Sequence, residues 1–293
     1  MVTPANRNRL VPWEDDGVRL RLDLAYDGGA FHGWAAQPRL RTVQGELEAA
    51  LAMVLRLDRV AVTCAGRTDT GVHARGQVVH LDVDEPVLLA SAGRSADPPV
   101  AALARRLNGV LAADVSVRDA RQVPDAFDAR FGALWRRYSY RLVDRPGDVD
   151  PLTRNHVAAW GRPLEEPAMN AASALLLGEH DFAAYCKQRE GATTVRELLE
   201  LRWQRTQEGI LEGTVRADAF CHSMVRSLVG ALVGVGEGRR TQEWPAEVLG
   251  RGVRDPRVLV MPAHGLTLEE VAYPPDAELA ERAALTRRVR DRG

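Results

Sequence analysis

The spacing of apolar residues along the chain admits few folds. Residues 18–25 alternate, with Val18, Leu20, Leu22 and Leu24 set against Arg19, Arg21 and Asp23, which predicts a half-buried strand. Tyr26-Asp27-Gly28-Gly29 ends it. Residues 42–56 place Val43, Leu47, Ala50, Leu51 and Leu55 on one side at helical spacing, with Thr42 as N-cap. Strands over 60–65 and 77–83 follow, then a helix over 100–110 behind Pro98-Pro99 and a short strand at 115–117. The order is strand, helix, strand, strand, helix, strand. The second half repeats it. A strand over 133–143 and a helix over 167–177 lead to strands over 195–204 and 210–217, turned at Glu208-Gly209. A helix over 221–235, an inserted helix at 243–250 and a strand over 266–273 close the unit. Two tandem β-α-β-β-α-β units predict an α+β architecture of two split β-α-β, ferredoxin-like lobes. Their sheets are expected to join edge to edge, mainly antiparallel, with a cleft between them. The divisions expected are a polar tail at 1–17, a first lobe over 18–125, a second over 126–275 and a charged tail over 276–293. Within that last tail, 278–292 suits a frayed helix.

A chain of 293 residues with 45% hydrophobic and 27% charged content is globular in composition, large enough for a real core. No apolar run approaches the roughly 18–20 residues that span a bilayer. The first sixteen residues lack the apolar stretch of a signal peptide, so a cytoplasmic location with no membrane partner is expected. Cys64, Cys186 and Cys221 are odd in number without paired spacing and imply no disulfide framework. His73, His80 and His222 show no metal-ligand spacing beside them, so no metal site is expected. The net charge of −1 argues against a nucleic-acid binder, but its distribution does not. Lys187 is the single lysine among 39 basic residues, and arginine grips phosphate with two parallel hydrogen bonds. Between residues 130 and 145 stand five arginines against one acid, Asp144, a locally basic surface.

Three segments carry candidate chemistry. Gly66-Arg67-Thr68-Asp69-Thr70-Gly71-Val72-His73-Ala74 is a glycine-bounded polar turn between two strands, able to present a carboxylate on a rigid rim. On local composition alone an ordinary turn is the favoured reading. In the helix over 221–235, Met224, Val225, Leu228, Val229, Leu232 and Val233 form a wide apolar arc. Arg226 lies at its edge, within the first two turns, where the helix dipole disfavours a cation. Either its head snorkels to water or it meets a carboxylate across the cleft, and Asp69 is the candidate. Finally, Phe127-Asp128-Ala129-Arg130-Phe131 leads into Arg136-Arg137-Tyr138-Ser139-Tyr140. Aromatics interleaved with arginines suit base stacking and phosphate contact, or a strand with packed tyrosines and solvated arginines.

Together these segments resemble the bacterial tRNA pseudouridine synthase A (TruA) family over nearly all of 18–275. To them are added Tyr26-Asp27-Gly28, Phe31-His32-Gly33-Trp34, Gly76-Gln77-Val78, Thr194-Val195-Arg196 and Phe220-Cys221-His222-Ser223-Met224-Val225-Arg226. The resemblance implies a cofactor-independent isomerase that turns uridine into pseudouridine in the anticodon stem-loop of tRNA, at tRNA positions 38–40. It implies a homodimer holding each tRNA across both subunits. Asp69 matches the catalytic aspartate, a nucleophile on C6 of the ring or C1′ of the ribose. Arg226 matches its ion-pair partner, which favours the ionised carboxylate. Tyr138 matches the tyrosine that stacks on the target base and moves the proton at C5. Arg67 matches the arginine that helps extract the nucleotide and takes its place. Thr68 and His73 join Tyr138 and Arg67 as substrate-binding residues. Arg67, Phe127, Asp128, Ala129, Arg130, Phe131, Arg136, Gln188 and Arg189 are the tRNA-binding set. Two other readings remain at this point: a non-catalytic RNA-binding protein on the same fold, and a hydrolase built on Asp69 and His73.

Overall fold

The structure, a computed structural model, describes residues 17–187 and 193–291, with residues 146 and 287–291 described by backbone alone. The alternation read at 18–25 becomes β1 (Gly17–Tyr26), whose inward residues Leu20, Leu22 and Leu24 are fully buried. Thr42 caps α1 (Val43–Leu55) by accepting the Gly45 N–H at 3.3 Å. Next come β2 (Thr63–Cys64), β3 (His73–Asp84), α2 (Glu85–Ala92), α3 (Pro99–Val110) and β4 (Val115–Val123). The second half contains β5 (Trp135–Val143), β6 (Ala158–Ala159), α4 (Glu166–Ala174), β7 (Gly178–Asp181), β8 (Val195–Arg205) and β9 (Leu211–Ala217). It ends with α5 (Met224–Gly236), α6 (Trp244–Gly250), β10 (Leu266–Ala272) and α7 (Leu279–Asp291).

The strands form one open, mostly antiparallel sheet in the order β4-β1-β3-β10-β5-β9-β8-β7, with β2 on β3 and β6 on β5. Strand β10 joins the halves. It runs parallel to β3 through Thr267–His73 and Leu268–Ala74, and antiparallel to β5 through Leu266–Tyr140 to Ala272–Trp135. The end of the polar turn is thereby fastened beside Tyr138. Close approach requires Gly76 there, because a Cβ would fall 2.2 Å from the Glu269 carbonyl oxygen. One apolar cluster runs from Val18 in β1 to Leu279 in α7, through both halves.

Several elements differ from the sequence reading. The strand at 60–65 shrinks to two residues, because the Val62 N–H is taken by the Glu48 carboxylate at 3.1 Å. The strand at 77–83 begins earlier, at His73, and that at 115–117 extends to Val123. The helix expected to start at 221 starts at Met224, because Ser223 takes the left-handed conformation (φ 64°). Helix α2 and the short strands β6 and β7 carry too little periodicity to be read. The charged tail docks: Leu279 and Ala283 of α7 are buried, and Arg282 donates to the Ala133 carbonyl at 3.1 Å. Cys186 and Cys221, whose spacing implies no disulfide framework, form a disulfide with Cα atoms 5.7 Å apart. Among the described residues no helix is long and apolar enough to cross a membrane.

Candidate active site

The turn carrying Asp69 is held from beneath by buried polar groups. Gln77, fully buried, donates to the Gly66 carbonyl at 2.8 Å and to the Tyr26 hydroxyl at 3.3 Å. The Tyr26 hydroxyl in turn lies 2.8 Å from Thr68 Oγ1. A paired buried hydroxyl and amide are costly to disturb, so this chain fixes the turn. Burial pushes the Tyr26 hydroxyl well above the usual phenol range, which keeps it protonated. From the side, the Trp34 N–H donates to the Thr68 carbonyl at 3.0 Å. Gly33 (φ 87°) lies so close that a Cβ would stand 3.0 Å from that same oxygen and 3.2 Å from the Thr70 nitrogen.

Asp69 emerges from this scaffold into an open cleft of about 900 Å³. The cleft takes residues from the 62–72 turn, the entrance to α1, β5, the 219–226 junction and the segment at 193–196. Arg67, Arg130, Arg136, Lys187, Arg196 and Arg226 line it, and Asp69 is the one acidic residue among the described residues that do. Arg226 reaches Asp69 from the other half: its Nη1 stands 3.8 Å from Oδ2, while its Nε donates to the Met261 carbonyl at 2.6 Å. The residue at the edge of the apolar arc therefore crosses the cleft rather than snorkelling. Tyr138 is buried, its ring edge-on to Phe220 at 5.1 Å between centroids. Burial, and then the charge of Asp69, push its pKa well above the ordinary phenol value, so it stands as a neutral hydroxyl.

Not every expected residue faces this space. Arg67 is exposed and lines the cleft; Thr68 lines it too, although its hydroxyl is engaged with Tyr26. His73 does not. It is buried beneath the turn, where Nδ1 accepts the Gly28 N–H at 3.0 Å and lies 3.0 Å from the Asp27 carboxylate. That position removes it both as a substrate contact and as a hydrolytic partner of Asp69. Phe127 and Ala129 are also buried, so neither offers a face to a base. Phe127 instead packs on Tyr273 at 4.8 Å, with the Arg21 guanidinium 5.6 Å from its centroid. Asp128 spends one oxygen on the Arg130 and Phe131 N–H groups at 2.8 and 2.9 Å, a tight turn that leaves Arg130 exposed on the cleft. Arg136 lines the cleft but is almost wholly buried, donating to the carbonyls of Asp218, Ala65 and Arg130. It ties the turn to β5 and is poorly placed to meet phosphate. Gln188 and Arg189 lie outside the described residues.

The sequence reading assigned no role to His222, Gln77, Gly33 or Phe220. His222 Nε2 stands 3.4 Å from Asp69 Oδ1, on the carboxylate oxygen opposite Arg226. Its position four residues before Arg226, on one face of the helix expected over 221–235, was the available signal.

A carboxylate with an arginine and a histidine against it, in an arginine-lined cleft of an open, mostly antiparallel sheet, can serve as nucleophile or base toward a polyanion. Residues 172–274 match the family model described as tRNA pseudouridine synthase. A protein named tRNA pseudouridine synthase A from Frankia casuarinae is 59% identical over 94% of this chain and 97% of its own length. Its namesake from Streptomyces griseus is 59% identical over 93% of this chain and 94% of its own, and that from Mycobacterium leprae 50% over 94% and 96%. The chain belongs to the tRNA pseudouridine synthase A family.

Proposed function

We propose that this protein is a tRNA pseudouridine synthase, an isomerase that converts uridine to pseudouridine in tRNA. One observation carries the assignment of residues: Asp69 is the single described carboxylate in a basic cleft, faced by Arg226, in a chain similar to these enzymes over nearly its whole length. The reaction breaks the C1′–N1 bond, turns the uracil and joins C1′ to C5; C5 loses a proton and N1 gains one. Asp69 acts as the nucleophile, on C1′ or on C6, splitting one hard step into easier ones. Arg226 holds it aimed. Tyr138 stacks on the extruded base. Because burial keeps its hydroxyl protonated, taking the C5 proton requires that its own proton pass in the same step to water, from which the freed N1 is protonated. Arg67, exposed at the rim, fills the stack that the nucleotide leaves.

The target uridines lie in the anticodon stem-loop. The backbone of that stem runs along Arg130, Lys187 and Arg196, contacted by shape and phosphate rather than base edges. The two halves work as tandem lobes, a reading supported by matching strand orders: β4-β1-β3 with β2 beyond, and β10-β5-β9-β8. The protein acts in the cytoplasm as a homodimer, each tRNA bridging two copies. Light scattering on the pure protein tests that state, and a monomer that remains active would reject it. Catalysis is tested with tRNA carrying tritium at uridine C5, which is released only when C5 bonds to the ribose. Asp69→Asn is expected to abolish release while tRNA affinity stays within about two-fold. Turnover in that variant would exclude Asp69 as nucleophile. If neither the parent nor the variant releases tritium while both bind tRNA, the chain is a non-catalytic RNA binder.

A further inference from the structure

His222 occupies a place that the ion pair with Arg226 leaves open. A carboxylate turns freely about its last torsion, which is broad and two-fold. Arg226 constrains only one side of Asp69: Nη1 approaches Oδ2 at 3.8 Å, and Nε is committed to the Met261 carbonyl. On the other side, His222 Nε2 stands 3.4 Å from Oδ1, with its side chain one-quarter exposed on the cleft. That separation exceeds the roughly 2.9 Å of a formed N–H···O bond, and such contacts in unliganded sites commonly tighten when substrate enters.

The backbone around His222 is anchored on both sides. The Lys187 N–H donates to the His222 carbonyl at 3.0 Å, and the preceding Cys221 is bonded to Cys186. Behind it, Ser223 holds φ 64° and ψ 6°, a left-handed conformation that is unfavourable for a non-glycine residue. The Met224 N–H closes the turn onto the Cys221 carbonyl at 3.0 Å. The strained residue is what separates His222 from the helix while both it and Arg226 face Asp69.

We infer that His222 is a positioning residue for the nucleophile: its Nε2–H donates to Asp69 Oδ1 and, with Arg226 on Oδ2, fixes the plane in which the carboxylate meets the extruded uridine. This rests on the reading of Asp69 as nucleophile. The test uses the full chain with tRNA tritiated at uridine C5, comparing His222→Ala, His222→Gln and Asp69→Asn. His222→Ala is expected to lower kcat about 10- to 100-fold, the scale of lost orientation, with KM for tRNA within about two-fold. Glutamine carries an amide N–H at nearly the reach of Nε2, so His222→Gln is expected to regain most of that loss. The inference is overturned if His222→Ala keeps parental kcat, if its loss appears in KM, or if His222→Gln is as slow as alanine while binding tRNA normally. Should alanine fail to fold, the glutamine variant decides: near-parental kcat supports the inference, and a kcat about 10-fold or more lower rejects it. A catalytically active Asp69→Asn would instead bring down the underlying reading, whatever the His222 variants do.

Discussion

Asp69 and Arg226 are supplied by opposite halves of the chain, and the guanidinium serves two masters: the carboxylate and the Met261 carbonyl. A lysine has no fork and cannot satisfy both. Arg226→Lys is therefore expected to lower kcat by about ten-fold or more, read by tritium release, with tRNA affinity nearly unchanged. Equal turnover in the lysine variant would mean that only a point charge is required. Tyr138 allows a second separation. Tyr138→Phe keeps the stacking ring and loses the hydroxyl, so a role in proton transfer predicts a fall of roughly 100-fold in kcat with little change in binding. If phenylalanine is as active as tyrosine, the ring alone matters. At this scale the sequence singled out Asp69, Arg226 and Tyr138 through the strings around them, and all three line the cleft. It misled at His73 and Phe127, which are buried and do not line it.

At the scale of the element, the polar turn is shaped by a glycine outside it. Gly66 opens the motif, yet a Cβ there would meet nothing within 4 Å. Gly33, far earlier in the chain, combines positive φ with contact on the turn's backbone. Gly33→Ala is expected to destabilise the fold by about 1–3 kcal/mol in urea titration and to reduce turnover as well. Gly66→Ala is expected to change stability by no more than about 0.5 kcal/mol. The reverse ranking would mean that the turn is not braced from Gly33. Helix α5 offers the same lesson about boundaries. Apolar spacing marks its buried arc well, but its start depends on the left-handed Ser223, which no periodicity announces.

Across the whole molecule, charge is divided by face rather than by composition. A net charge of −1 coexists with a cleft where six basic residues meet one acid among those described, because other acids lie away from it, some in ion pairs such as Arg19–Asp82, Arg141–Glu269 and Arg205–Asp144. Affinity for tRNA is thus expected to fall steeply with salt, roughly 30-fold between about 50 and about 200 mM for the three phosphate contacts of Arg130, Lys187 and Arg196. A flat response in filter binding would rule out the basic cleft as the RNA surface. Stability has its own pH signature. His73, His156 and His264 all have pKa values held below the ordinary 6.5, in each case chiefly by burial. The unfolded chain therefore binds more protons there, so stability is full above about pH 6.5 and is lost as pH falls through the lower folded values. The urea midpoint is expected to drop between about pH 6.5 and about pH 5, and a constant midpoint would contradict their neutral burial.

What the sequence determined by itself was local: which runs alternate, which are helical, and which strings of residues belong to one family. Those properties depend on neighbours within a turn or two, and so survive without coordinates. The tertiary structure alone decided which side chains share the cleft. It brought His222 to Asp69, buried His73 and Phe127, turned Arg136 onto three carbonyls and paired Cys186 with Cys221. The reason is that β10 bonds to both β3 and β5, so contacts at the site join residues far apart in the chain, and no local pattern records that register.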